Sequence, residues 1–367
     1  LAYMYGQMSS FALLLYNKVM RYTSGGYIDM HYIINNKMPF SFIVGARGTG
    51  KTYGALKDVL VDHPRKFIYM RRLQTQIDLI KGNESMNPIG PVSRDCNRNI
   101  ILHNINKYVV GIYNGMETED GKTVPVGEPL GYMLALSTIS NLRGFDMSQV
   151  EVLIFDEFIP EKQESKIKME GQAFLNAIET IARNRELQGR DPLQVLCLAN
   201  SNDIANPIFI ELGLVTYVEK MLEKGIDYIR MDDKETAVWV CSKAPISQMK
   251  KETALYKLTR GTQFSEMALE NKFTDMNTEL VKPQDLSHYN AVVKVGELVI
   301  YEDKNKRGHY YVSTHAKGSY DEYSTGESDL MRFRRDYFYL WLAYLNKSII
   351  FETFMMQVLF ERYNKMR

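Results

Sequence analysis

The chain has little of what marks a secreted, membrane-bound or broadly basic protein. Its 367 residues include three cysteines, Cys96, Cys197 and Cys241. They are widely spaced, in no metal-binding pattern and no disulfide framework, which suits a reducing cytosol. Excess charge of either sign is missing: 45 Lys and Arg against 44 Asp and Glu leave a net +1. A partner as acidic as nucleic acid would have to meet local basic groups, not a generally basic surface. Long apolar runs are missing too. The longest early one, "FALLLY", is too short for a membrane span or a signal-peptide core, so no membrane partner is expected. No internal repeat and no low-complexity tract occurs. The guanine-reading pattern N-K-x-D is absent, which disfavours a GTPase.

What is present is a phosphate loop. Gly45-Ala46-Arg47-Gly48-Thr49-Gly50-Lys51-Thr52 satisfies G-x-x-x-x-G-K-[ST] at every required position. Gly45, Gly48 and Gly50 let the backbone curl until successive N–H groups point at phosphate oxygens. The helix expected next, over 51–62, adds its positive N-terminal end. Lys51 would reach the β- and γ-phosphates as a point charge, and the Thr52 hydroxyl would join a Mg²⁺ shell. The plain alternative is a glycine turn without function. Against it, "FSFIV" directly before and "KTYGALKDVLV" directly after supply the strand–loop–helix setting that the motif requires.

Apolar β-type runs recur at 40–46, 66–72, 107–113, 132–137, 150–157 and 193–200. Several are continuously apolar, as in strands buried on both faces. Helical patterns fall between some of them, at 51–62 and at 171–186, where Phe174, Ile178 and Ile181 share a face. Strands alternating with helices indicate an α/β layered core with a largely parallel sheet. The polar, Gly- and Pro-containing stretch 114–129 reads as an exposed insertion. The α/β pattern fades after "VWVCSK", a polar helical stretch follows, and a smaller α+β unit begins with "NAVVKV". The expected domains are therefore 1–242, a linker over 243–282, and 283–367.

"VEVLIFDEF" is an apolar strand ending in two carboxylates. In phosphate-loop enzymes such a strand is expected beside the one feeding the loop, with its Asp, here Asp156, organising Mg²⁺. Glu157, one residue on, is placed to polarise an attacking water, which points to hydrolysis and away from phosphoryl transfer to another substrate. A solvated acidic pair at a strand end is the alternative. Asn200 ends the strand "VLCLAN"; it either contacts the γ-phosphate or merely starts the next turn.

At 100° per residue, Arg183 falls opposite Phe174, on the polar face of the 171–186 helix, pointing away from its own core. It is either a cation at a helix C-terminus, worth about 0.3–1 kcal/mol, or a finger delivered to a neighbour's nucleotide, worth about 10³–10⁵ in rate. Arg143, in "SNLRGF", is a second candidate. Lys162, Lys166 and Lys168 in the polar loop after Glu157 are either a solvated run or contacts to a phosphate backbone.

Taken in order, "FIVGARGTGKT", "FIYMRR", "IFDEFIPEK", "ARNRE" and "CLANSNDIANPIF" closely resemble the DNA-packaging motor ATPases (encapsidation proteins) of small tailed phages of the Salasvirus type, relatives of the large terminases. The likeness covers most of 40–215 and resumes at "LTRGTQFSEMALENKF" (258–273), where the family has a linker subdomain. It implies an α/β fold: a P-loop NTPase of the ASCE, terminase-like kind, a helical linker, and a small α+β, RNase H-like C-terminal domain. It implies an ATPase that uses ATP and Mg²⁺ and forms a homo-oligomeric ring, usually of five, on the portal of an empty prohead. Hydrolysis there drives double-stranded DNA inward, commonly with a prohead RNA as tether. The place implied is the host cytoplasm, docked on the prohead and not in the mature virion. By the same likeness Asp156 and Glu157 are the Walker B pair, Arg183 is a trans-acting finger, and Arg143 stands where a second trans-acting basic residue is found, as Arg in place of Lys. Lys162 matches a basic residue of a channel-facing loop. The 114–129 stretch and the longer N-terminus have no counterpart that the likeness places.

Full-size terminases carry a nuclease at the C-terminus, a chemistry that needs carboxylates converging on two metals, the first on the opening strand. "NAVVKV" has no acid; Glu302 and Asp303 come late. A nuclease-like fold without nuclease activity is expected. "RFRRDYFYLWLAY" is either a packed amphipathic helix with a charged start or a nucleic-acid contact. Two other readings stand beside the motor: a helicase-like ring ATPase stimulated by DNA, and an assembly protein gated by nucleotide with little turnover.

Overall fold

The computed structural model describes residues 20–142, 144–161, 163–200, 203–241, 244–262, 265 and 279–365. Two residues singled out from the sequence, Arg143 and Lys162, lie outside the described residues, as does most of 258–273. By contacts the chain divides into two compact units, Leu1–Leu212 with Lys220–Thr274, and Gly213–Glu219 with Asp275–Arg367. Among the described residues no helix is long and apolar enough to cross a membrane.

Among the described residues the first unit is built on nine strands: β1 (Phe40–Gly45), β2 (Phe67–Arg71), β3 (Ile100–Asn104), β4 (Val110–Glu117), β5 (Thr123–Ala135), β6 (Val152–Asp156), β7 (Gln194–Ala199), β8 (Tyr228–Met231) and β9 (Thr236–Cys241). They lie in the order β3-β4-β5-β2-β6-β7-β1-β9-β8. From β5 to β9 neighbouring strands are parallel. The outer pairs are antiparallel. Every residue of β6 is buried, as the continuous apolar run required. Alternation along β1 sends Ile43 into the cluster with Ala55, Leu56 and Ile154. Phe42 goes to the opposite face, against Phe158 and Phe209 with ring centroids 5.6 and 5.5 Å away.

Three readings of the sequence need correction. The acid-bearing strand β6 is not beside the loop-feeding strand β1. Strand β7 stands between them, pairing Val195 with Phe40 on one side and with Leu153 on the other. All three strands are equally apolar, so hydropathy could not rank them. The stretch 114–129 is largely exposed but is a paired ribbon: Asn114 faces Val126 and Glu117 faces Thr123. It turns at 118–122, where the Thr118 N–H donates to the Lys122 carbonyl at 2.8 Å and Gly121 takes φ +77°. The helix read as 171–186 is Glu170–Ala182. Arg183 leaves it with φ 51° and ψ −136°, and Arg185 turns back to bury itself and donate to the Val150 carbonyl.

Among the described residues the second unit has five strands: β10 (Tyr289–Val295), β11 (Leu298–Asp303), β12 (Tyr310–Ser313), β13 (Asp321–Tyr323) and β14 (Ile349–Phe351). Their order is β13-β10-β11-β12-β14. The first three form an antiparallel meander, with β13 parallel to β10 and β14 parallel to β12. The aromatic-rich tail forms the helices Glu327–Asp336, Phe338–Leu345 and Phe354–Asn364. Phe333, Leu340 and Phe360 are buried while Arg332 and Arg335 are exposed, the pattern of packed amphipathic helices.

Candidate active site

The phosphate loop runs from the end of β1 into the helix Lys51–Lys57. Gly48 and Gly50 take φ +65° and +89°, a region that side chains with a Cβ avoid. Gly45 is glycine for a different reason. A Cβ there would lie 2.8 Å from that of Cys241 on β9. The loop is pinned from within by the Thr49 hydroxyl donating to the Ala46 carbonyl at 2.9 Å. From outside, Lys250 Nζ donates to the carbonyls of Arg47 and Gly48 at 2.6 and 3.1 Å. Arg47 itself pairs with Glu161.

Lys51 is buried, with Nζ 2.8 Å from the Gly45 carbonyl and 2.9 Å from that of Ala46. Burial pulls its pKa down to about 8, against the opposing pull of Cys241 and Asp156. Asn200 Oδ1 is 3.5 Å from the same ammonium. Because β7 lies between β1 and β6, its tip puts Asn200 between the loop and the acidic pair.

Asp156 ends β6. The Thr52 hydroxyl donates to its two oxygens at 3.0 and 3.1 Å, and the Tyr69 hydroxyl donates to Oδ2 at 2.8 Å. Burial, then the neighbouring Asp156 charge, pushes the Tyr69 phenol far up, so Tyr69 remains a donor. A hydroxyl and a carboxylate converging in this way are oxygen donors of the kind Mg²⁺ takes. Glu157 follows with φ 55°, a strained conformation for a side-chain residue. The turn aims its carboxylate into the cleft. Burial raises its pKa, and Arg71 opposes that rise. Arg71, at the end of β2, pairs with Glu157 and lies 3.5 Å from Asp156 Oδ2.

One cleft of about 380 Å³ is lined by Arg47 to Tyr53, Asp156, Glu157, Glu161, Ala199 and Asn200. The motif residues of the loop and the acidic pair, apart in sequence, thus meet. Arg183 is not among the lining residues; it is exposed and donates to the Phe145 carbonyl at 3.0 Å. Lys166 and Lys168 are exposed.

Sequence reasoning missed Tyr69, Arg71, Lys250 and the buried Arg72. Arg72 places its guanidinium on Glu170 at 2.5 and 2.8 Å and on Glu164, tying the end of β2 to the segment after β6. The signal was two consecutive arginines ending a buried strand. Alternation sends one to each face, and each needs a carboxylate.

A family model described as Podovirus DNA encapsidation protein (Gp16) matches residues 116–334, more than half of the chain. The DNA packaging protein of Bacillus phage B103 is 25% identical over 344 residues, covering 89% of this chain and 97% of the relative. That of Bacillus phage phi29 is 26% identical over 298 residues, covering 79% and 80%. A solved structure of the bacteriophage Phi-29 viral genome packaging motor assembly shares the fold with a TM-score of 0.64 at 22% identity, covering 93% of this chain and 99% of that one.

Proposed function

This chain belongs to the podovirus DNA encapsidation protein (Gp16) family, and from that premise we propose that it hydrolyses ATP with Mg²⁺ in a ring of identical subunits and drives double-stranded viral DNA into a prohead. The observation that carries the chemistry is the contact of the Thr52 hydroxyl with Asp156 at 3.0 Å, with Glu157 on the next residue. The loop amides and Lys51 would bind the β- and γ-phosphates. Thr52 and Asp156 would hold Mg²⁺, which when bound neutralises developing phosphate charge. Glu157 orients a water as general base, and Asn200 stands beside Lys51, where a γ-phosphate oxygen would be felt. Arg183, exposed and outside its own cleft, acts on the neighbouring subunit, with Arg143 as a second trans-acting cation. Lys162, Lys166 and Lys168 are the candidate DNA contacts.

The motor works in the host cell on the portal of the prohead, in a ring of five, with a prohead RNA as tether. The division of labour is an ATPase domain over 1–242, a linker over 243–282 and a C-terminal domain over 283–367 without nuclease activity. Two observations support that last point. The opening strand β10 carries no acid. Glu302 and Asp303 are engaged in the turn after β11, accepting from the Gly308 N–H at 3.0 Å and the Asn305 N–H at 2.8 Å. The test is a packaging assay with purified proheads, DNA and ATP. Protection of DNA from nuclease that requires the chain, ATP and proheads together supports the motor. ATPase activity without such protection removes it.

A further inference from the structure

The N-terminal segment and the end of the phosphate-loop helix bring two imidazoles and a buried carboxylate to one place. His31 lies in the short helix Met30–Ile34, Asp58 opens the π-helical turn Asp58–Asp62, and His63 follows that turn. Nδ1 of His31 is 2.9 Å, and Nδ1 of His63 is 3.0 Å, from the same Asp58 oxygen, Oδ1. The rings stack with centroids 4.3 Å apart and planes 15° apart. The other oxygen, Oδ2, accepts from Arg65 at 2.9 Å. The Asp58 side chain is 2% exposed, whereas the imidazoles are 44% and 53% exposed, which leaves a path from solvent.

We propose that His31 Nδ1, His63 Nδ1 and Asp58 Oδ1 bind one divalent transition-metal cation of the zinc class, with at least one position left to water. Two imidazole nitrogens and a carboxylate oxygen are a donor set for such ions and a poor one for Mg²⁺. The spacing fits. Tetrahedral ligands about 2.0–2.1 Å from an ion stand about 3.3–3.4 Å from one another. The Asp58 oxygen stands 2.9 and 3.0 Å from the two nitrogens, all three donor atoms lie within 4.8 Å of one another, and the stacked imidazoles, 15° apart, must tilt towards a shared ion as it enters. Asn35 supplies the supporting contact, with its side-chain amide 2.6 Å from His31 Nε2. An ion on Nδ1 leaves the hydrogen on Nε2, which the Asn35 amide accepts once its oxygen and nitrogen exchange places. Arg65 stays on Oδ2 and holds the carboxylate in its orientation.

The site is separate from the nucleotide cleft, whose lining includes none of the three ligands. It is nevertheless connected to the loop. The Ile28 N–H donates to the Thr49 carbonyl at 2.9 Å, and the Tyr27 side chain packs against Gly50. An ion at His31 therefore fastens the segment that braces the phosphate loop to the helix that follows it.

The test uses the full-length chain, freed of metal by chelator and dialysis, with no nucleotide or Mg²⁺. Zn²⁺ is titrated in a calorimeter, and Co²⁺ is followed by its visible absorption. The expected result is one ion per chain and a rise in Tm. His31→Gln and His63→Gln should each stay folded and lose affinity on the order of tenfold or more, together with the Co²⁺ bands. Asp58→Asn is a weaker probe, because removing a buried charge beside Arg65 endangers folding. If the wild type takes up no stoichiometric ion, or both histidine variants bind as well as the wild type, the proposal fails and the trio is a hydrogen-bonded pin alone.

Discussion

Arg71 holds Glu157: one terminal nitrogen of its guanidinium sits on Oε2 of Glu157, and the other lies 3.5 Å from Oδ2 of Asp156. The two acids are successive in sequence, but the arginine comes from another strand, so β2 sets the direction of the Glu157 carboxylate. Arg71→Ala should leave that carboxylate loose and drop kcat by about 10²-fold, the scale of a misplaced group. Nucleotide affinity should change far less. Burial raises the Glu157 pKa and Arg71 opposes the rise, so without Arg71 the pKa climbs further. The acid limb of the kcat–pH profile should then move to higher pH. A profile that keeps its position would show that Arg71 does not tune Glu157.

Lys51 and Glu157 should separate binding from turnover. Lys51→Ala removes the only side-chain charge buried inside the loop and should abolish ATP binding, measured by a fluorescent analogue. Glu157→Gln keeps the shape of the side chain and leaves the loop's phosphate-binding groups in place, so ATP should bind as in the wild type while kcat falls by about 10²–10⁴. A Glu157→Gln chain that keeps most of its kcat would move the water-polarising role elsewhere.

Arg72 is 0% exposed and its partner Glu170 3%. Arg72→Met leaves a buried carboxylate without its cation and should cost about 3–5 kcal/mol in denaturant unfolding. Arg72→Met with Glu170→Met removes the buried pair, leaves only the more exposed Glu164 without its arginine, and should recover most of that loss. If the double variant is no more stable than the single, the network stabilises the chain through packing and not through charge.

The C-terminal acids give a separate test. The isolated chain should not nick plasmid DNA with Mn²⁺, since Glu302 and Asp303 cap a turn and β10 has no acid to meet them. Nicking that vanishes in Glu302→Ala or Asp303→Ala would overturn this.

The parts legible in the sequence are those where chemistry is local. Eight consecutive residues spell the phosphate loop, and the short apolar run that Asp156 closes and Glu157 follows reads as a buried strand. The strand order was not legible, because β1, β6 and β7 are equally apolar and hydropathy does not encode neighbours. Nor were the partners of Arg71 and Arg72, which stand 86 and 98 positions away along the chain. The trio His31, Asp58 and His63 has no motif spacing, since it joins two elements that meet only in the fold. The end of the Glu170–Ala182 helix misled the wheel argument for a physical reason. Helices commonly stop at Gly or Asn; here Asn184 follows directly on Arg183, which ends the helix at φ 51° and ψ −136°, but the charged residues around it in "ARNRE" let the helical pattern run on past that stop.

That helix end decides how Arg183 should be tested. Its side chain does not project from a helical face; it stands where the chain breaks away at φ 51°, exposed, hydrogen-bonded to the Phe145 carbonyl and near the Asp146 carboxylate. A residue so placed adds nothing to its own cleft, so Arg183→Ala should fold and bind nucleotide as the wild type does. In the assembled ring it should lose on the order of 10³ in kcat if it stabilises transition-state charge next door. Mixing separates the two roles. An Arg183→Ala subunit keeps its phosphate loop, and a Lys51→Ala subunit keeps its arginine. Each is inactive alone, but in mixed rings some interfaces join an intact loop to an intact arginine, and ATPase activity should partly return there. Mixed rings that form, shown by two tags recovered together, yet stay as inactive as either parent would place Arg183 in cis or leave it as a cap on its helix. The trans-acting role would then pass to Arg143, and the same pairing of Arg143→Ala with Lys51→Ala would decide it.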